Sequence, residues 1–112
     1  MRTTLLALLL LTATAVFGHA LLLESTPAAN ATVSGPELAI SLRFNTRIDA
    51  ERSRVDIVSL ERSVRPIVIS GAAEGAVHGK VKDLKPGAYR LQWQVLATDG
   101  HITRGEVPFA VK

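Results

Sequence analysis

The feature that most constrains the fold is a two-residue alternation of apolar and polar side chains in three short segments. In "ELAISLRF" the apolar face consists of Leu38, Ile40, Leu42 and Phe44. In "YRLQWQVL" it is Tyr89, Leu91, Trp93 and Val95, and in "EVPFAV" it is Val107, Phe109 and Val111. Because successive side chains of a strand point to opposite faces, this alternation predicts half-buried β-strands.

Weaker strand candidates fill the gaps between these segments, and turn signals separate them. The weaker candidates are Ala20–Glu24, Val55–Leu60, Val64–Ser70 and Ala76–Lys82. Segments such as "SGPE", "LKPGAY" and "TDGH" mark turns, and "NTRIDAERS" has room for one short turn of helix. About seven short strands predict an all-β Greek-key sandwich or small barrel, with Trp93, Phe44 and Phe109 in its core.

The first 18 residues have the pattern of a cleaved export signal. Arg2 supplies a short positive region, Leu5–Leu11 is continuously apolar, and small residues follow as far as Gly18. The apolar stretch over residues 3–17 is 15 residues long, which is shorter than the roughly 18 or more that indicate a membrane span. The sequence therefore predicts a signal peptide and an exported domain.

Two cleavage positions fit this signal, and they differ in the fate of one histidine. A cut after Gly18 makes His19 the first residue of the mature chain, whereas a cut after Ala20 discards it. The size and charge of the imidazole favour the first cut slightly, because a bulky group just before the scissile bond does not help the peptidase. We therefore predict a signal peptide over residues 1–18 and one domain over residues 19–112.

The composition excludes several classes of protein. The chain has no cysteine, so the domain has no disulfide, no thiolate metal site and no cysteine nucleophile. Its single methionine is Met1, so the predicted mature domain has no thioether ligand for Cu(I). The net charge of +3 comes from basic and acidic residues that are interspersed, which indicates a solvated surface rather than a nucleic-acid interface. Motifs of common hydrolases and nucleotide-binding proteins are also absent.

The segment "ATDGHITRG" holds a candidate pair of metal ligands, Asp99 and His101. If this segment is extended, side chains two residues apart project to the same side, and the carboxylate and the imidazole converge. Such a pair suits a borderline divalent metal. The alternative is a turn, in which Asp-Gly is a common dipeptide and Asp99 makes an Asx hydrogen bond.

A free N-terminal His19 would strengthen the metal hypothesis. Its α-amine and its imidazole Nδ1 belong to one residue, so together they close a chelate ring on a metal ion. These nitrogens, with His101 and an Asp99 oxygen, would suit the tetragonal N,O preference of Cu(II). The third histidine, His78 in "AVHGKV", lies on the lysine-bearing side of a predicted strand, which indicates a solvated position.

Both ends of the chain resemble the CopC-like copper resistance proteins. The opening "HALLLESTPAANATV" with "ELAISLRFN", and the closing "PGAYRLQWQVLATDGHITRGEVPFAV", resemble the corresponding segments of that family, whereas residues 50–85 match thinly. The resemblance implies an Ig-like, cupredoxin-like β-sandwich in the periplasm that binds Cu(II) through His19, Asp99 and His101. It also implies the cut after Gly18.

Two departures from the family pattern refine this expectation. Members that also bind Cu(I) have a methionine- or histidine-rich second site in the middle of the chain, where this sequence has only His78. We therefore expect a member that binds Cu(II) alone. Some members have a glutamate shortly after the "RF" of the second strand, and here Thr46 takes that place.

The expected function is capture or carriage of one Cu(II) ion by a monomeric, non-enzymatic periplasmic protein. The resemblance implies a CopD-type inner-membrane copper transporter as partner. Two alternatives remain open at this point. One is a copper-dependent oxidative enzyme, because an N-terminal histidine with a second histidine resembles the copper brace of lytic polysaccharide monooxygenases. The other is a metal-free Ig-like structural module, which would be cleaved after Ala20.

Overall fold

The computed structural model describes residues 20–72 and 75–112, and nine β-strands form within these ranges. In chain order they are β1 Leu22–Thr26, β2 Ala31–Val33, β3 Leu38–Phe44, β4 Ile48–Ser59, β5 Val64–Ile67, β6 Ile69–Ala72, β7 Ala76–Val81, β8 Gly87–Ala97 and β9 Ile102–Val111. The predicted signal peptide, residues 1–18, lies outside the described residues, as does His19. The described residues contain no helix that is long and apolar enough to cross a membrane.

The strands form two sheets that pack face to face. The four-stranded sheet has the order β1-β3-β7-β6, and the five-stranded sheet has the order β2-β9-β8-β4-β5. Strand β2 runs parallel to β9, and the other ladders are antiparallel. The chain crosses from one sheet to the other after β1, β2, β3, β5 and β7. This is the Ig-like Greek-key β-sandwich that the sequence predicts, and that prediction is confirmed.

The core fills the space between the two sheets, and the alternating residues identified in the sequence supply most of it. From β3 these are Ile40, Leu42 and Phe44, and from β8 they are Leu91, Trp93 and Val95, all at most 7% exposed. The Phe44 and Trp93 rings meet edge to face, with centroids 5.0 Å apart and an interplanar angle of 70°, a favoured aromatic geometry. Phe109 is 4% exposed, so all three predicted aromatic core residues are confirmed.

The segment "NTRIDAERS" does not form the short helical turn that we predicted. Its first three residues form the loop between β3 and β4, and residues 48–53 belong to β4, whose register against β8 shifts between Asp49 and Arg54. The Ser53 hydroxyl donates to the Asp49 carbonyl oxygen at 2.6 Å and accepts the Leu96 N–H at 2.9 Å. One side chain thus takes the place of the ladder hydrogen bonds that the bulge interrupts, which is why a polar, non-alternating segment remains a strand.

Two further elements differ from the prediction and raise the strand number from about seven to nine. The predicted strand Val64–Ser70 is two strands, because the chain leaves the five-stranded sheet after Ile67 and enters the other sheet at Ile69. Between them Val68 is 91% exposed. Strand β2 is not among the predicted strands, and it pairs with Phe109–Val111.

Candidate metal centre

A tight turn joins β8 to β9 and carries the predicted Asp-x-His motif. The Ala97 N–H donates to the His101 carbonyl oxygen at 2.8 Å, and the Gly100 N–H donates to the Ala97 carbonyl oxygen at 2.9 Å. Gly100 has a φ of 99°, a left-handed conformation that glycine adopts without steric cost. The segment is therefore turned rather than extended.

The turn nevertheless brings the two candidate ligands together. One carboxylate oxygen of Asp99, Oδ1, accepts the backbone N–H of His101 at 3.2 Å and lies 3.3 Å from the His101 Nδ1 atom. The Asp99 and His101 side chains are 44% and 50% exposed. The structure therefore has the turn with its Asx hydrogen bond and not the extended segment, and the same hydrogen bond places the carboxylate beside the imidazole.

The charge state of Asp99 follows from the same contact. The hydrogen bond from the His101 backbone N–H lowers the pKa of the Asp99 carboxyl below its ordinary value of 3.8. Asp99 is therefore a carboxylate at neutral pH and in mild acid. A carboxylate oxygen beside an imidazole nitrogen is a donor pair that Cu(II) and other borderline divalent ions accept.

The loop between β3 and β4 connects this turn to the start of β1. The Thr98 N–H donates to the Arg47 carbonyl oxygen at 3.1 Å. Two residues earlier in the same loop, the Asn45 side-chain oxygen Oδ1 accepts the Leu21 N–H at 2.8 Å. The Asn45 N–H in turn donates to the Leu21 carbonyl oxygen at 3.0 Å. The N-terminal end of β1 and the Asp99 turn therefore lie at the same end of the sandwich.

The described chain begins at a buried residue. Ala20 is 1% exposed and belongs to the hydrophobic core, and Leu21 is held by Asn45. His19 is bonded to Ala20 but lies outside the described residues. Of the three predicted ligands, the structure brings Asp99 and His101 together, and the described residues contain no cluster of three or more metal-ligating side chains.

His78 lies away from this pair. It is an exposed residue of β7 in the four-stranded sheet, opposite Ser41 on β3 and Ser70 on β6. Its neighbours along the strand, Val77 and Gly79, are buried and half-buried. The prediction that His78 occupies the solvated side of a strand is confirmed.

Asn45 is the residue at this end of the molecule that sequence reasoning missed. An asparagine directly after the last apolar position of a strand, Phe44, indicates a turn. That signal does not say which backbone groups the side chain will bind. Thr46, the position at which the sequence departs from the expected family pattern, is half-buried in the same loop.

The fold and this end of the molecule define an Ig-like β-sandwich with an aspartate and a histidine side by side near the start of its first strand. The chain belongs to the CopC domain family, which it matches over residues 22–112. Copper resistance protein C of Xanthomonas campestris pv. juglandis is 31% identical over 111 residues, which cover 91% of this chain and 87% of that protein. Protein YobA of Escherichia coli strain K12 is 33% identical over 101 residues, which cover 87% of this chain and 82% of that protein.

Solved structures of the same family have the same fold. CopC from Methylosinus trichosporium OB3b superimposes with a TM-score of 0.75 at 26% identity and covers 84% of this chain and 94% of that one. PcoC, a methionine-rich copper resistance protein from Escherichia coli, gives a TM-score of 0.70 at 26% identity, with 85% and 100% covered. The resemblance inferred from the two ends of the sequence therefore extends through the middle of the chain.

Proposed function

We propose that this protein is an exported copper-resistance or copper-supply protein that binds one Cu(II) ion through His19, Asp99 and His101. The observation that carries the proposal is the Asp99–His101 pair, 3.3 Å apart, at the end of the sandwich where β1 begins. Membership of the CopC family and relatives named for copper resistance support copper as the metal.

The donor set favours Cu(II) over Cu(I). The α-amine and imidazole of His19, the His101 imidazole and an Asp99 oxygen make three nitrogens and one oxygen, which suit a tetragonal ion. PcoC is described as methionine rich, whereas the single methionine here is Met1. With no thioether in residues 19–112, the domain has no soft ligand that would retain the reduced ion.

The proposed ligand set requires cleavage after Gly18, and the burial of Ala20 supports that cut. A cut after Ala20 would remove a methyl group that is 1% exposed in the core, together with the proposed ligand His19. The mature protein would then be residues 19–112, in the periplasm. Its proposed role is to hold Cu(II) and pass it to a CopD-type inner-membrane transporter, without catalysis.

The test is a Cu(II) titration of residues 19–112 beginning at His19, in the presence of a competing chelator of known affinity. We expect one ion per chain at neutral pH. One glycine added before His19 converts the α-amine into an amide and should weaken binding by more than about tenfold, since even outer hydrogen-bond partners of a metal site contribute about 10–100-fold.

Two results would contradict the proposal. One is unchanged affinity after the glycine extension, which would remove the α-amine from the site. The other is an exported protein whose intact mass shows that it begins at Leu21, which would leave a domain without the first ligand and favour the metal-free module. Peroxide formation with a reductant, absent from a metal-free control, would instead favour the oxidative enzyme.

A further inference from the structure

We propose that Asn45 is a positioning residue, whose side chain fixes the N-terminal segment at the distance from the Asp99 turn that copper binding requires. This inference rests on the proposed function, because it concerns how His19 reaches the site. Asn45 is not itself a ligand in this proposal. It acts through the backbone of Leu21.

The contact is reciprocal and involves two separate hydrogen bonds. The Leu21 N–H donates to the side-chain Oδ1 atom of Asn45 at 2.8 Å, and the Leu21 carbonyl oxygen accepts the Asn45 N–H at 3.0 Å. Pairing of β1 with β3 begins with Leu22 opposite Phe44, and the register shifts before Glu24 pairs with Arg43. The Asn45 side chain thus extends the β1–β3 ladder by one residue, toward the N-terminus and beyond the end of β3.

The loop that carries Asn45 is itself anchored to its neighbours. The Arg47 carbonyl oxygen accepts the Thr98 N–H of the Asp99 turn at 3.1 Å. On its other side, the loop is packed against Gly75, which has a φ of 78°. A Cβ atom at Gly75 would lie 3.0 Å from the Phe44 carbonyl oxygen and closer still to the Thr46 carbonyl oxygen. Because the loop is held on both sides, the position of Asn45 depends on the position of the Asp99 turn.

The order of contacts therefore runs from the Asp99 turn through Arg47 and Asn45 to Leu21 and Ala20. Ala20 is 1% exposed, so its side chain is fixed by the core while its neighbour Leu21 is fixed by Asn45. An α-amine attached to such a fixed point loses little conformational freedom when it binds a metal ion. Pre-ordering of this kind increases affinity without adding a ligand.

The experiment compares Cu(II) affinity in four forms of residues 19–112: the unsubstituted protein, Asn45→Leu, Asn45→Asp and Ser25→Ala. Asn45→Leu keeps the size but removes the oxygen that accepts the Leu21 N–H, and we expect binding about 10–100-fold weaker. Asn45→Asp retains an acceptor oxygen and should bind at least as tightly as the unsubstituted protein. Ser25→Ala is the matched control, because it removes a hydrogen bond from β1 to the Pro27 carbonyl oxygen (2.9 Å), at the end of the strand away from Leu21, and should not change the affinity.

A second comparison separates positioning of the amine from a general loosening of the fold. When a glycine precedes His19, the amine no longer contributes, so Asn45→Leu should then have little further effect on affinity. Amide hydrogen exchange in the metal-free protein should show faster exchange of the Leu21 N–H in Asn45→Leu. If that variant does not fold, Asn45→Ala is used in the same comparisons.

The outcomes distinguish this inference from the proposed function. If the unsubstituted protein binds no Cu(II), or if the glycine extension changes nothing, the proposed function fails. If the extension weakens binding but the protein without the Asn45 acceptor binds as tightly as the unsubstituted one, the proposed function stands and the role of Asn45 is refuted. Equal weakening with and without the extension would also refute it, because Asn45 would then act on the fold as a whole.

Discussion

Replacement of Gly105 by alanine should destabilise the domain, although alanine is usually the better residue in a strand. Gly105 lies opposite Trp93 in the β8–β9 ladder. A Cβ atom at Gly105 would lie 2.6 Å from the Trp93 Cε2 atom and would approach Cζ2 even more closely. Trp93 is 7% exposed and rests edge-on against Phe44, so its ring has little room to move away.

The magnitude follows from two opposing contributions. Backbone propensity alone would favour alanine over glycine by about 0.5–1 kcal/mol. Overpacking of a filled core costs about 1–3 kcal/mol, and displacement of Trp93 from Phe44 loses part of an aromatic contact worth about 0.5–1.5 kcal/mol. We expect a net loss of about 2 kcal/mol in the free energy of unfolding. For a domain of this size that corresponds to a decrease of roughly 8–16 °C in Tm.

The assay is urea denaturation followed by far-UV circular dichroism, which can be measured for every variant. Where Trp93, the single tryptophan of the chain, is present, its fluorescence and the near-UV circular dichroism report on its packing. Trp93→Phe removes the outer ring atoms that the new methyl group would meet. In that background Gly105→Ala should cost much less, and the two substitutions should be non-additive. A Gly105→Ala protein as stable as the original, with an unchanged tryptophan signal, would refute the packing argument.

The remaining predictions concern the pH dependence of stability and the effect of His78 on Cu(II) affinity. The pKa of Glu24 is lowered from 4.5 by the hydrogen bond and charge of Arg43, and that of Asp99 is lowered from 3.8, chiefly by the His101 N–H. Their stabilising contributions are therefore complete above those ordinary values and are lost as the pH falls through the lower folded-state values. In urea denaturation, Glu24→Gln and Asp99→Asn should lose less stability than the original protein between about pH 5 and about pH 3, and equal losses would contradict this. His78→Ala should leave Cu(II) affinity unchanged, whereas His101→Ala should greatly weaken it in the same competition titration. Weakening by His78→Ala would place a ligand where the structure shows a solvated strand.

The sequence is informative where structure depends on neighbours along the chain. Alternation located the core strands because the side-chain period of a strand is a local property. The Asp99–His101 pair could also be predicted, because two residues in one turn lie close together whatever the rest of the fold is. Even there, the sequence left open whether the segment was extended or turned, and the structure shows that a turn brings the pair together.

Contacts between distant parts of the chain were not predictable. The hydrogen bond between Leu21 and Asn45 joins residues 24 apart, and that between Ser53 and Leu96 joins residues 43 apart. No periodicity encodes such pairings, because they depend on which strands become neighbours. The strand predicted at Val64–Ser70 shows the same limit, since its composition gives no sign that the chain changes sheets at Val68.

The loop between β3 and β4 has a consequence for the lifetime of the protein in the presence of proteases. It lies across the seam between two layers that no disulfide joins. With the proposed ligands, copper would be held by His19, which precedes the first strand of one layer, and by the β8–β9 hairpin of the other, and so would act as a removable cross-link. Because binding to the native state alone adds to its stability according to the concentration of free ligand, resistance to proteolysis should rise with ambient copper. The abundance of the carrier would then follow the supply of its cargo without any change in gene expression.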